Sequence, residues 1–221
     1  MNRTLLHSLA LAMTMSIAAL PALAQDDEID TTFEFVDADG NVVPDGSIVT
    51  INKAIEEDDG FGGTFVQMPS GLYVHNTDDD ASLLVNYDLR RIDNGNFQIC
   101  FPSSCISRST KGSYKTTGGT LKADETRNLQ TEWLPDSYGQ CEAHLQIVFC
   151  VDLGKQFEEI TNGPAITLRF VYADPASVQS TVQVLRPVAR YALDGTPLRS
   201  TQRGIQLVRY SDGSVRKVVQ K

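Results

Sequence analysis

From Glu142 onward the chain alternates through Ala143, Leu145, Ile147, Phe149, Val151 and Leu153 on one side and Glu142, His144, Gln146 and Asp152 on the other. A period of two belongs to an extended strand, and so long an apolar face must be covered by a second sheet. Residues 82–93 repeat the pattern, with Leu83, Val85, Tyr87 and Leu89 opposed to Asn86, Asp88 and Arg90, as expected of a sheet with one wet face. Ile166, Leu168, Phe170 and Tyr172 do so with Arg169 opposed, and Val178, Val182 and Val184 do so with Gln179 and Gln183 outside. Seven or more short strands at this spacing, with no long helix, predict an all-β chain folded as an immunoglobulin-like antiparallel β-sandwich. Trp133 is expected to pack inside it.

Shorter segments fill in the rest. Residues 33–36, 47–51, 71–76 and 129–134 are predicted as strands, residues 53–57 as a helical turn at most, and residues 111–120 as a polar surface loop. Residues 58–63 form an acidic, glycine-rich loop. Asn94-Gly95 is the dipeptide of a tight reversal, so residues 82–93 and 97–101 are expected to pair as a hairpin. The strand at 97–101 runs into a short loop bounded by Cys100 and Cys105 and broken by Pro102.

Residues 1–24 have the grammar of a secretory leader: Arg3 and His7, an apolar run to Leu20, then Ala22-Leu23-Ala24 before Gln25. Cleavage is expected between Ala24 and Gln25, and no later stretch has the apolar length of a membrane span. The mature chain is therefore expected to be soluble and secreted, in the periplasm, at the cell surface or outside the cell. Its charge is uneven: setting Arg3 aside takes −9 to −10, and residues 187–221 carry +5, leaving −15 on residues 25–186. An acidic body argues against a nucleic-acid partner.

Four cysteines in a secreted chain suggest disulfides, with three possible full pairings. Cys141 and Cys150, if joined by an extended strand, have Cα atoms about 30 Å apart, beyond the roughly 7 Å a bridge allows. The remaining choices are crossed bridges to the first pair, or a local Cys100–Cys105 bridge with Cys141 and Cys150 reduced; the local bridge is favoured as a structural clamp. A redox role would give an envelope thiol-disulfide protein, but C-x4-C lacks the thioredoxin-like spacing and βαβ setting.

No residue set amounts to a recognisable active site, so no enzyme activity and no cofactor are expected. Asp37, Asp39, Asn41 and Asp45 have the oxygen-rich look of a calcium loop without the EF-hand pattern, and an Asp-Gly turn explains them equally simply. Asp78, Asp79 and Asp80 read as a solvated corner. His75 and His144 fall in separate predicted strands and are expected to be structural. No metal site is assigned.

The last 35 residues form a short basic β-meander, with turns at Asp194-Gly195 and Asp212-Gly213, a glycine-led strand from Gly204 to Tyr210, and the terminus Val215-Arg-Lys-Val-Val-Gln-Lys221. This order of features resembles the C-terminal sorting domains of Bacteroidales proteins exported by the type IX secretion system. The body is similar to immunoglobulin-like modules of the same bacteria, which carry a C-x4-C loop followed by an aromatic strand and Tyr-Gly, here Cys100–Cys105 and Trp133 to Gly139. After the leader at 1–24, the chain is expected to comprise a sandwich at 25–186 and a sorting-like β segment at 187–221. The resemblance implies secretion machinery as the tail's partner. The function expected is that of a secreted or surface binding or structural protein, with a carbohydrate-binding or adhesive module as an alternative and a surface glycan or protein as the open choice of ligand.

Overall fold

The computed structural model describes residues 29–173 and 182–220; the expected leader, its expected cleavage between Ala24 and Gln25, and Val178 lie outside the described residues. The strands of the first half are Phe33–Val36 (β1), Ile48–Ile51 (β2), Ile55–Asp58 (β3), Thr64–Pro69 (β4), Tyr73–Asn76 (β5), Ala81–Ile92 (β6), Asn96–Cys100 (β7), Cys105–Arg108 (β8) and Gly112–Lys115 (β9). They are followed by Gly119–Leu121 (β10), Thr126–Asn128 (β11), Thr131–Leu134 (β12), Gly139–Asp152 (β13) and Phe157–Tyr172 (β14). Val182–Leu185 (β15), Pro187–Tyr191 (β16), Pro197–Leu198 (β17), Gly204–Tyr210 (β18) and Val215–Gln220 (β19) complete the chain. There is no helix among the described residues.

The architecture is all-β, with stacked sheets and no closed barrel, as the periodicity predicts. One layer is a large sheet in the order β10-β6-β13-β14-β2-β15, with β9 also paired to β6. The facing layer is β3-β4-β12-β7-β8, continued by β1-β5-β11 through the bonds Ser70 N–H to Thr131 O (2.8 Å) and Leu129 N–H to Leu72 O (3.0 Å). The inward residues of both layers form one core: Leu83, Val85, Tyr87 and Leu89 of β6 and Ala143, Leu145 and Ile147 of β13 meet Phe97, Ile99, Met68 and Trp133. All strand pairings are antiparallel except β2 with β14, where Ile48 to Ile51 run alongside Thr167 to Phe170.

Asn94-Gly95 does not make the expected hairpin. β6 pairs with β13, whereas β7 pairs with β12 and β8, so residues 93–95 carry the chain from one layer to the other. The corner is tied to a second crossing, from β12 to β13. Trp133 Nε1 donates to Asn94 O (2.9 Å), Asp136 N–H and Ser137 N–H donate to Asn94 Oδ1 (2.9 and 3.2 Å), and Gly95 N–H donates to Asp136 Oδ2 (3.1 Å). Gly95 has φ of +68°, so the dipeptide supplies the backbone freedom that its sequence advertises, but a corner uses it.

Three other expectations are corrected. Residues 55–58 are a strand rather than a helical turn, because they pair with Thr64–Gln67 across the glycine-rich loop. Residues 111–120 contain β9 and β10, which hydrogen-bond the free edge of β6 and give a polar segment a strand's backbone partners. The alternation of β13 holds to Ile147 and then loosens. Register shifts at Gln146/Val148 and Phe149/Cys150 place Val148 and Cys150 in a small separate cluster with Leu84 and Phe157, and leave Val151 and Leu153 43% and 52% exposed. Pro164 lies opposite this irregularity; lacking an N–H, proline is confined in a sheet interior to such bulges.

A methyl group at residue 95 would lie 2.0 Å from Leu134 O, whereas one at Gly40, also at positive φ, meets nothing within 4 Å. Gly95→Ala is therefore expected to cost more than about 2 kcal/mol, and Gly40→Ala only about 1 kcal/mol, in urea unfolding. Equal losses would show that the paired corner is not under steric constraint.

Candidate functional site: the groove between the body and the terminal sheet

The terminal residues form their own four-stranded sheet, β17-β16-β18-β19, which covers part of the wet face of the large sheet. Val208 and Tyr210, with Val218 beside them, close over Ile48 and Leu185, which point outward from β2 and β15. This contact is small and separate from the main core. Polar bonds complete it, and they converge on Asp45.

Asp45 sits on the turn before β2. Its Oδ1 accepts from Ala165 N–H (2.9 Å), just past Pro164, and its Oδ2 accepts from Arg190 Nη2 (3.2 Å) and Thr201 Oγ1 (2.6 Å). Arg190 and Asp45 side chains are 13% and 21% exposed, so this ion pair is largely removed from solvent. Arg190 also donates to Asp45 O (3.1 Å), and Tyr210 OH reaches Gly46 O at 3.4 Å. Gly46 has φ of +74°, and a Cβ there would lie 2.4 Å from the Arg190 guanidinium.

Between the terminal sheet and the body runs a groove. One half, of about 560 Å³, is floored by Asp88 and Arg90 of β6, Glu142 and His144 of β13 and Thr167 and Arg169 of β14, with residues 216–220 of β19 along its wall. The other half, about 600 Å³, continues past Asn86, Gln146 and Lys115 to Arg203. The halves share Asp88, Arg90, Ser113 and His144, so they form one trough. Each is within the roughly 300–1,000 Å³ span of ligand clefts.

Charges in the trough are partly matched. Glu142 Oε2 accepts from Arg169 Nη2 (2.9 Å) and Nε (3.1 Å), and Asp88 Oδ1 accepts from Ser113 Oγ (2.5 Å). His144 Nδ1 lies 3.2 Å from Thr167 Oγ1. Arg216 stacks 5.5 Å from the centroid of the Tyr210 ring. Burial raises the Tyr210 phenol, with Arg190, Arg216 and Arg169 acting in the opposite direction.

Of the candidate site residues singled out from sequence, Asp45 and His144 lie at this groove and the others are placed elsewhere. Cys100 and Cys105 are bridged, directly opposite one another at the end of the β7–β8 hairpin. Their loop touches the large sheet: Ser104 Oγ lies 3.0 Å from Thr117 Oγ1, and Pro102 lies so close to Gly119 that a Cβ there would be 2.3 Å from it. Cys141 and Cys150 are reduced and buried, and burial raises both thiols, Cys141 well above the ordinary range, so neither is activated as a thiolate.

Asp37, Asp39, Asn41 and Asp45 do not converge. Asp37 is consumed by its own turn, accepting from Asp39 N–H, Asn41 N–H and Asn41 Nδ2, which together hold its carboxyl below the usual range, while Asp45 turns to the terminal sheet. Asp80 pairs with Lys122 at 2.6 Å, and Asp78 accepts from Asp79 N–H. His75 is on β5, bonded to Thr126 Oγ1 (2.9 Å), on a different sheet from His144. Among the described residues, no group of three or more His, Cys, Asp or Glu side chains could hold a metal ion.

No protein-family model matches the chain, and no curated protein matches it in sequence. Among solved structures it is similar to the N-terminal domain of PorA, with a TM-score of 0.40 and 15% identity over 63% of this chain and 96% of that one. A likeness this distant carries no inference about function. No helix of the described residues is long and apolar enough to cross a membrane.

Removing the Asp45 carboxylate leaves Arg190 without its partner in a largely dry site, and Asp45→Ala is expected to cost about 2–4 kcal/mol. Arg190→Ala should release the terminal sheet alone. Hydrogen exchange should then quicken in β16, β18 and β19 while β6 and β13 stay protected; unchanged exchange in the terminal strands would show that the clamp does not hold them.

Closing so short a loop as Cys100–Cys105 stabilises by about 2 kcal/mol on the chain-entropy account. The double change Cys100→Ala and Cys105→Ala is expected to leave a folded protein weakened by that amount in denaturant titration. Complete unfolding would assign the bridge a much larger part in holding the layers together.

Proposed function

We propose that this chain is a secreted or cell-surface protein with a binding or structural role and no enzymatic activity, and that residues 187–221 are an export-sorting element read by secretion machinery. The reading draws on the secretory leader and on the resemblance of the terminal residues to type IX sorting domains. The Cys100–Cys105 bridge supports it too, since such bridges persist in oxidising compartments outside the cytosol.

The observation that carries the proposal is how the terminal sheet is attached. Among the described residues its strands pair only with one another, and its contacts with the body include a small apolar cluster around Ile48, the polar clamp on Asp45 and the bond from Ser211 N–H to Arg186 O (2.9 Å). A sheet held in this way can be read, released or removed without opening the main core, as suits an addressing element. A strand of the sandwich itself would instead contribute side chains to that core.

Deletion of residues 187–221 tests both halves of the reading. The body is expected to fold, because it loses cover only over Ile48, Leu185 and the groove floor, and to accumulate in the periplasm of the producing cell rather than at its surface. Thermal unfolding of the shortened chain and fractionation of the cell give the two readouts. Aggregation would mark the sheet as an ordinary part of the sandwich whose loss bares an edge; unchanged stability with unchanged surface delivery would refute sorting.

A further inference from the structure

The groove differs in sign from the protein that carries it. The chain as a whole is at −9, yet five cationic side chains, Arg90, Arg169, Arg190, Arg216 and Lys217, line its first half against Asp45, Asp88 and Glu142. Along the second half Arg203 adds a further cation, while Lys115 is paired with Glu159 Oε1 at 3.1 Å. A cleft of one sign between low-dielectric walls concentrates ligands of the other.

Two of the three acids are paired with cations, Asp45 with Arg190 and Glu142 with Arg169, while Asp88 accepts from the neutral Ser113 hydroxyl. Arg90 and Lys217 are exposed and have no acidic partner among the described residues. Arg216 is held flat against Tyr210 rather than paired with a carboxylate. Three cations are thus left without a carboxylate partner among the described residues: Arg90 on the floor, and Arg216 and Lys217 on successive residues, hence opposite faces, of the edge strand β19.

Beside these cations and the carboxylates of Asp88 and Glu142, the floor carries neutral hydrogen-bonding groups. Asn86, Gln146, Asn162, Ser113 and Thr167 supply amides and hydroxyls, with Asn86 Nδ2 also donating to Glu159 Oε2 (3.1 Å) and Gln146 Nε2 to Gly163 O. Hydroxyls and amides with widely spaced cations suit a polyhydroxylated chain bearing a carboxylate on some of its rings. They do not suit nucleic acid, whose duplex places a charge about every 1.7 Å and whose single strands stack on aromatic faces. Tyr114, the groove's aromatic on the body side, already carries the Arg108 guanidinium 5.0 Å from its ring centroid and packs on Tyr87.

We infer that the trough between the large sheet and β19 is a binding site for an acidic oligosaccharide of the uronate type, its carboxylates taken by Arg90, Arg216 and Lys217 and its hydroxyls by the amide and hydroxyl floor. The inference deepens the binding role proposed above and rests on it. It also gives the docked terminal sheet a second use, as one wall of the site.

Hexagalacturonate is the probe, titrated calorimetrically into the full mature chain at low and high salt, with a neutral hexasaccharide and inorganic polyphosphate as comparators. Binding of hexagalacturonate that weakens with salt is expected, with no measurable binding of the neutral sugar. Arg90→Glu and Lys217→Glu should each weaken it by about tenfold, the loss of one charge-assisted contact, without changing the thermal midpoint. Absence of hexagalacturonate binding, equal binding of the neutral sugar, tighter binding of polyphosphate, or indifference to both substitutions would overturn the assignment. Both variants keep the terminal sheet, so their surface delivery is scored separately: failed binding with normal delivery defeats the ligand assignment alone.

Discussion

A carboxylate on a turn governs much of this molecule's outer architecture. Pro164 interrupts the hydrogen-bond ladder of β14 because it has no N–H, and the next donor, Ala165 N–H, is satisfied by Asp45. That bond fixes the orientation of the carboxyl group, so its other oxygen faces out to Arg190 and Thr201 of the terminal segment. The site of a local irregularity in the large sheet is therefore also where the terminal sheet is fastened. Both the wall of the groove and the placement of Arg216 over Tyr210 follow from that fastening.

The two layers of the body are joined by more than apolar burial. The bridged loop at Cys100–Cys105 leans on residues 117–119 of the opposite layer, where Gly119 leaves the space that Pro102 occupies. Gly118 does the same for the ring of Phe157, whose side chain would otherwise meet a Cβ at 2.2 Å. The paired glycines at 118–119, which look like loop punctuation, are thus points of close approach. The disulfide stiffens a strut as well as a hairpin.

What could be read from sequence was whatever depends on a single strand. The alternation in β6, β13 and β14 identified Leu83, Val85, Tyr87, Leu89, Ala143, Leu145 and Ile147 as core, and Trp133 as a residue of that core, because a side chain's face follows from its parity alone. Pairing was less legible. Asn94-Gly95 is chemically a reversal, but whether the next strand returns beside β6 or crosses to the other layer depends on Leu134, Asp136 and Ser137, which are forty residues away. β9 and β10 were invisible because their polar residues owe their extended form to the edge of β6. The groove was hidden for the same reason. Asp88, Arg90, Glu142 and Arg169 could be placed on a wet face, but nothing local indicates that residues 204–220 fold back over it.

The mutual bonding of the crossings at residues 93–95 and 134–140 has a consequence for how such a chain can diverge. Two connections that hydrogen-bond each other's backbone share one length specification, so an insertion in either displaces the other and with it the indole of Trp133. Drift in loop length is instead accommodated at the β3–β4 hairpin, whose tip carries Phe61 at 96% exposure and is bonded chiefly to itself through Asp58 and Asp59. Distant kin of this protein would then be recognised by constant spacing at the first place and variable spacing at the second, a signature of register rather than of residue identity.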